Sequence, residues 1–254
     1  MAFSGYVLNQ GRVFIAERAF NGADVTGLDL IGDADTVELR VKQKTLPVVA
    51  SFTGYGVTTA NPVIETACTL KIQALDMRLK NWAAATWGDN SGARAGSVIS
   101  GEPLVLYNGQ YAKLKNIGVS GVVIAGATLG LDYVIDSAQH GIVRVLAGSI
   151  VIPDGIPFAT TVGYSYAANN GKVQAFALGP KFYRIVVAGV NAAQGNQPTV
   201  LEVRQVQLEM ATKFDFIAKK HMTFELGGEL LFDASLPRAT THGDLSNHFS
   251  WEIA

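Results

Sequence analysis

The clearest hydrophobic pattern lies near the end of the chain. In Thr199–Met210, Leu201 and Val203 share one face; Gln205 breaks the parity, and Val206, Leu208 and Met210 resume on the other. A period of two predicts a half-buried strand, and a single parity slip is the trace of an inserted β-bulge. Phe214 and Phe216 then alternate with Lys213 and Asp215. A third run sets Met222, Phe224, Leu226, Gly228, Leu230 and Phe232 against Thr223, Glu225, Gly227 and Glu229. Three amphipathic strands in sequence predict one wall of an antiparallel sheet.

The same period opens the chain. Gly11–Arg18 and Val25–Ile31 read as strands around the turn dipeptide Asn21-Gly22, and Val37, Leu39 and Val41 alternate with Glu38, Arg40 and Lys42. From Gln43 to Asn61 the period is lost, which predicts a long loop or extended arm; loops of that length tend to be functional. Strand character returns from Val63 to Ile72. Then Ala74–Trp87 carries a helical stripe of Leu75, Leu79, Trp82 and Ala83, with Asp76 in its first turn and Gly88 at its end. Gly88–Gly96 reads as a loop without the Gly-Lys-Ser/Thr of a phosphate cradle.

Residues from about 100 to 175 have another texture. Short runs at Leu104–Tyr107, Val119–Ala125, Tyr133–Asp136, Ile142–Leu146, Ile150–Ile152 and Thr160–Tyr166 are separated by turn residues at even spacing, which suggests an inserted sandwich-like module or meander. Phe182–Ala188 re-enters the host sheet, Gly189–Gln197 reads as a polar loop, and Arg238–Ala254 as a tail anchored by Phe249 and Trp251. The expected fold is mainly β with one helix: residues 1–96 and 178–254 form one discontinuous domain, and 97–177 an inserted β-rich module.

Composition narrows the function. The 254 residues carry 20 basic and 21 acidic side chains, against a generally cationic nucleic-acid binder. Only 16% of residues are charged and 27 are glycine, which suits a surface covered by further copies of the chain. The lone Cys68 forbids an intrachain disulfide and reads as a small core residue. No apolar run reaches the ~18–20 residues of a membrane helix, and the N-terminus lacks the pattern of a signal peptide.

Catalytic chemistry finds no footing. His242 and His248 flank Asp244 without a third ligand at a fixing distance, and Asp132 and Asp136 suit turn capping better than a hydrolytic pair. No cofactor is implied, and no enzyme is expected. One charge pattern stands out: Asp24, Asp29, Asp33, Asp35 and Glu38 follow one another with no Lys or Arg among them. They read either as solvated turn residues or as an acidic surface that repels a polyanion.

The order of these pieces resembles the major tail tube proteins of long-tailed, siphovirus-like bacteriophages. Asn81, Ala83, Ala85 and Gly88 match the family's Asn-Leu-Ala-x-Ala-Leu-x-Gly helix, with Trp82 and Thr86 in place of its leucines. Gly228, Glu229, Leu231 and Asp233 match its closing Gly-Glu-x-Leu-x-Asp; Gly11–Arg18 and Ile31-Gly-Asp-Ala fit its first strands. The match covers roughly residues 5–90 and 180–233; the 97–177 module resembles the extra immunoglobulin-like or β-rich part of larger members.

The resemblance implies sheets that join into a barrel and pack on the helix, six copies to a ring, and rings stacked head to tail into a hollow tube in the virion tail, assembled in the host cytoplasm. DNA would pass through it without specific binding, and no membrane is involved. Partners would be further copies, a tape measure protein and tail-end proteins. The candidate inter-ring arm is Thr45, Leu46, Pro47, Val48, Val49, Phe52 and Tyr55, with the C-terminal tail and the Gly88–Gly96 loop as second choices. Asp24, Asp29, Asp33, Asp35 and Glu38, with Glu225 and Glu229, are the candidate acidic residues of the lumen. The alternatives are a tube-capping or distal-tail ring protein, or a β-domain that binds carbohydrate or a cell surface.

Overall fold

The computed structural model describes residues 9–50, 57–76, 78–212, 214, 223–237 and 245–253. In chain order the elements are β1 (Asn9–Arg18), β2 (Asp29–Gly32), β3 (Ala34–Thr45), β4 (Val48–Ala50), β5 (Val57–Ala60), β6 (Val63–Ala74), helix α1 (Leu79–Ala85) and β7 (Asp89–Asn90). Next come β8 (Ser97–Leu106), β9 (Tyr111–Lys113), β10 (Val119–Ile124), β11 (Tyr133–Ser137), β12 (Ile142–Val145) and β13 (Phe158–Tyr166). The chain closes with β14 (Val173–Gln174), β15 (Phe182–Asn191), β16 (Gln197–Leu208), β17 (Phe224–Leu230) and β18 (Phe249–Ile253). The described residues are therefore mainly β, with antiparallel sheets and one α-helix. The chain divides into two compact units, Met1–Asn90 with Val173–Ala254, and Ser91–Lys172; the sequence reading sets its seams at 96/97 and 177/178.

The first unit is built on an eight-stranded sheet in the order β2-β1-β15-β16-β17-β6-β3, with β18 also paired to β16, and adds the two-stranded pairs β14-β7 and β4-β5. β2 and β3 are the two ends of that order, yet only Asp33 separates them in the chain. The sheet therefore curls until its ends meet at one corner, without closing into a barrel among the described residues. Gly32 makes the corner possible: its φ is +104°, and a Cβ there would lie 2.3 Å from Asp76 Oδ2. Ile31, Leu70, Ile72, Ile185, Val203, Val206, Leu208 and Leu226 fill the concave side.

The parity slip at Gln205 is a bulge. Tyr183 pairs with Val206 and Ile185 with Val203, so β16 spends one residue more than β15. The bulge also divides the other edge of β16, where β18 pairs with Thr199–Val203 and β17 with Val206–Leu208. The expected C-terminal tail is thus corrected in part: its last residues form a strand, and Phe249 packs against the core. Five residues of alternation are too few to announce that strand.

The helix is shorter than its sequence pattern predicts. Residues up to Ala74 belong to β6, because Leu70, Ile72 and Ala74 keep the strand period in the core. Leu75 donates its N–H to Asp33 O and is exposed, and Asp76 pairs with Arg78 ahead of the helix. α1 has two turns and buries Asn81 and Ala85. Asn81 Nδ2 donates to Ile31 O at 2.6 Å, and Trp82 stacks on Phe214 and Phe224 at 4.8 and 6.2 Å. At the C-terminus Gly88 N donates to Ala83 O, but the left-handed residue is Trp87, φ +47°, held by its own indole N–H on Leu208 O at 3.0 Å.

Gly189–Gln197 is mostly not loop: β15 runs to Asn191 and a single 3-10 turn leads back into β16. Val25–Leu28 is not strand; β2 begins at Asp29. Of the expected Phe214–Phe216 strand, only Phe214 falls within the described residues.

The second unit pairs β10-β13-β8 and β11-β12-β9 as two three-stranded sheets over a core that includes Leu106, Leu114, Ile124, Tyr133, Val143, Val162 and Tyr164. Ile150–Ile152, expected as a strand, is a turn: Ile150 is 97% exposed, Ile152 is buried, and Asn108 Nδ2 holds Ile152 O at 2.8 Å. Asp132 ties the adjoining turns, accepting from Thr128 N at 2.8 Å and Ser149 Oγ at 2.6 Å; these bonds keep its pKa low.

Candidate assembly surfaces

β3 and β6 pair along their whole length, from Ala34↔Ala74 to Thr45↔Val63. Beyond Thr45 the hairpin continues, with Leu46 N on Pro62 O and β4 paired to β5 through Val48↔Ala60. Residues 43–50 and 57–61 thus belong to a β-ribbon, so of the two readings, a long loop or an extended arm, the described residues fit the arm. Residues 41–48 and 60–66 are all exposed. With solvent on both faces, nothing selects apolar residues at alternate positions, so the period that marks a strand is missing.

The ribbon nevertheless carries apolar side chains: Leu46, Val48, Val63 and Ile64 are 47 to 57% exposed. Of the candidate arm residues, Thr45 is the last of β3, Leu46 and Pro47 join it to β4, and Val48 and Val49 lie in β4. Phe52 and Tyr55 lie outside the described residues.

The seven candidate acidic residues do not form one set. Glu38, Glu225 and Glu229 share the solvent face of β3, β6 and β17: Glu38 pairs in register with Lys71, and Lys71 with Gly227 between the two glutamates. That face is not purely acidic. Arg40 Nε lies 2.8 Å from Glu38 Oε1, and this bond lowers the Glu38 pKa; Lys71 Nζ lies 2.6 Å from Glu225 Oε2.

The aspartates lie elsewhere. Asp24 meets Arg184 at 2.8 Å and Asp29 meets Lys80. Asp33 occupies the corner between β2 and β3, and Asp35 the bulge at the start of β3. The reading of an acidic surface clear of basic partners is therefore corrected. Linear spacing hid the ion pairs of Asp24, Asp29 and Glu225, because Arg184, Lys80 and Lys71 are brought in by distant elements, whereas Arg40 is local to Glu38. Asp33, Asp35 and Glu229 have no ion pair among the described residues.

A polar knot behind the bulge escaped sequence reasoning. Arg18, at the end of β1, forms a buried ion pair with Asp233 at 3.1 Å, and also donates to Arg204 O and Gly22 O. Gln205 is fully buried, and its Oε1 accepts from Asn21 N at 2.8 Å. Asn247 Nδ2 donates to Asp233 O at 2.8 Å, bringing the segment before β18 into the same knot. Burial raises the Asp233 pKa, but hydrogen bonds from Ser235 Oγ and N–H, with the Arg18 charge, outweigh it and set a lowered value. The only signal in the sequence was the parity slip itself. Among the described residues, no three His, Cys, Asp or Glu side chains gather as a metal site, and no helix is long and apolar enough to cross a membrane.

No curated protein matches the chain. Residues 6–249 match a family described as "Protein of unknown function UCP028589", and since that match spans nearly the whole sequence, the chain belongs to this family.

Proposed function

We propose that the protein is a structural subunit that assembles into stacked six-membered rings, forming a hollow bacteriophage tail tube through which DNA leaves. The observation that carries this reading is the β3–β6 ribbon, whose distal part is paired and exposed on both faces with apolar side chains. A two-stranded ribbon without a core is marginal in water, and exposed apolar strands invite association. Such a ribbon is explained by a second copy that covers it. Its head-to-tail contact would be heterologous and non-closing, which gives a filament.

The sequence resemblance to tail tube proteins supports the same reading. In it, Glu38, Glu225 and Glu229 line the lumen on a face that is polar but nearly charge-balanced. A polyanion would find there neither an apolar surface to adsorb on nor a basic track to hold it. The protein would then reside in the virion tail, with the tape measure protein and tail-end proteins as further partners.

Negative-stain microscopy of the purified chain tests this. Long tubes are expected. Single rings alone would point to a tube-capping or distal-tail ring, and a monodisperse monomer at high concentration would refute the proposal. Because Thr45 and Val63 are cross-strand partners, replacing 46–62 with Asn-Gly should close a tight hairpin. That variant should fold and fail to polymerise.

A further inference from the structure

The ribbon and the aspartates of the β1–β2 edge have complementary surfaces. From residue 41 to 64 the only charges are Lys42 and Lys44. Among the described residues the one ion pair of this stretch, Lys44 with Glu65 at 3.7 Å, joins two largely exposed side chains and holds little. The ribbon is thus a basic and apolar projection.

The segment 19–35 is the reverse. Its only charges are Asp24, Asp29, Asp33 and Asp35; Asp24 pairs with Arg184 and Asp29 with Lys80, while Asp33 and Asp35 have no ion pair among the described residues. In the same segment Phe20, Val25 and Leu28 are 47 to 65% exposed. The segment is held in place: Val25 N and Thr26 N donate to Glu17 O at 2.7 and 3.1 Å, and Phe20 packs on Phe182 at 4.9 Å. β2 is also an outer strand of the sheet order, with no second neighbour among the described residues. Repelling DNA requires no exposed Phe, Val or Leu, whereas a protein contact does.

Resting on the stacked-ring reading, we infer that the 19–35 edge of one copy is the seat for the ribbon of the next. Lys42 and Lys44 face Asp33 and Asp35, and Leu46, Val48, Val63 and Ile64 cover Phe20, Val25 and Leu28. The aspartates then leave the lumen for the contact between copies. Such charge complementarity fixes register and partner choice more than raw affinity.

The test uses the full chain and two reversals, D33K/D35K and K42E/K44E. Circular dichroism should show both folded as the wild type. Each alone should need at least about tenfold more protein to polymerise, since each now sets like charges together. Mixed one to one, they should polymerise again, because each ribbon finds an opposite seat on the other variant; wild-type assembly should weaken with added salt. If D33K/D35K polymerises like the wild type while the 46–62 replacement does not, the seat lies elsewhere and only this inference falls. If the mixture stays unassembled, the pairing is wrong. If the wild type never polymerises, the stacked-ring reading falls and takes this inference with it.

Discussion

Arg18 Nη2 lies 3.1 Å from Asp233 Oδ2, with both side chains almost wholly buried behind the β16 bulge. The pair joins the end of the first strand to the segment after β17. Removing one partner leaves the other charged and unpaired in the interior, so Asp233→Asn should destabilise by about 3–5 kcal/mol in urea titration.

The same pair sets an acid limit. Asp233 has a lowered pKa in the folded protein, below the ~3.9 of a free aspartate. Its contribution is therefore complete above that unfolded value and is lost as pH falls through the lowered folded one. Urea midpoints between pH 2 and 7 should fall steeply at the acid end in the wild type. In Asp233→Asn that limb should be shallower.

Gly228 pairs with Leu208 across β16 and β17, and a Cβ there would sit 1.9 Å from Gln207 O. That contact is backbone, which no rotamer change relieves. Gly228→Ala should cost about 1–3 kcal/mol or more as the strands are forced apart. Gly27→Ala, with nothing within 4 Å of the added carbon, is the matched control and should change the thermal midpoint little.

Cys68 is buried opposite Val41, where the ribbon leaves the core, and burial pushes its thiol pKa up. Few thiolates form, so labelling at pH 8 should be at least about tenfold slower than in the urea-unfolded chain. Because the folded thiol holds its proton more tightly, its contribution is full below the ~8.5 of a free cysteine and is lost as pH rises beyond it. Cys68→Ala should flatten that alkaline loss.

What the sequence made legible was whatever the core selects. Leu70, Ile72, Leu226 and Leu230 alternate because one side of their strands is dry, and Val203 and Val206 reveal the bulge because both must face inward. Local alternation could not show that Leu75 stands outside the helix, since its strand and helix phases coincide for several residues. Nor could it show which bases reach the aspartates, because Arg184 stands 160 positions from Asp24. The ribbon was hidden for the opposite reason: its pairing is made of backbone hydrogen bonds, which leave no mark on side-chain order.

Leu46 and Val63 are apolar side chains of this ribbon. Both are about half exposed, so they add little to the stability of a single chain, and surface changes of this kind usually stay within about 0.5 kcal/mol. Leu46→Asp and Val63→Asp should therefore melt as the wild type does. If these side chains are covered in the polymer, each buried carboxylate would go unpaired, at a cost of several kcal/mol per contact, repeated in every copy. Sedimentation should then find the variants folded and unassembled. Normal polymers from Leu46→Asp would mean that the ribbon stays in solvent after assembly.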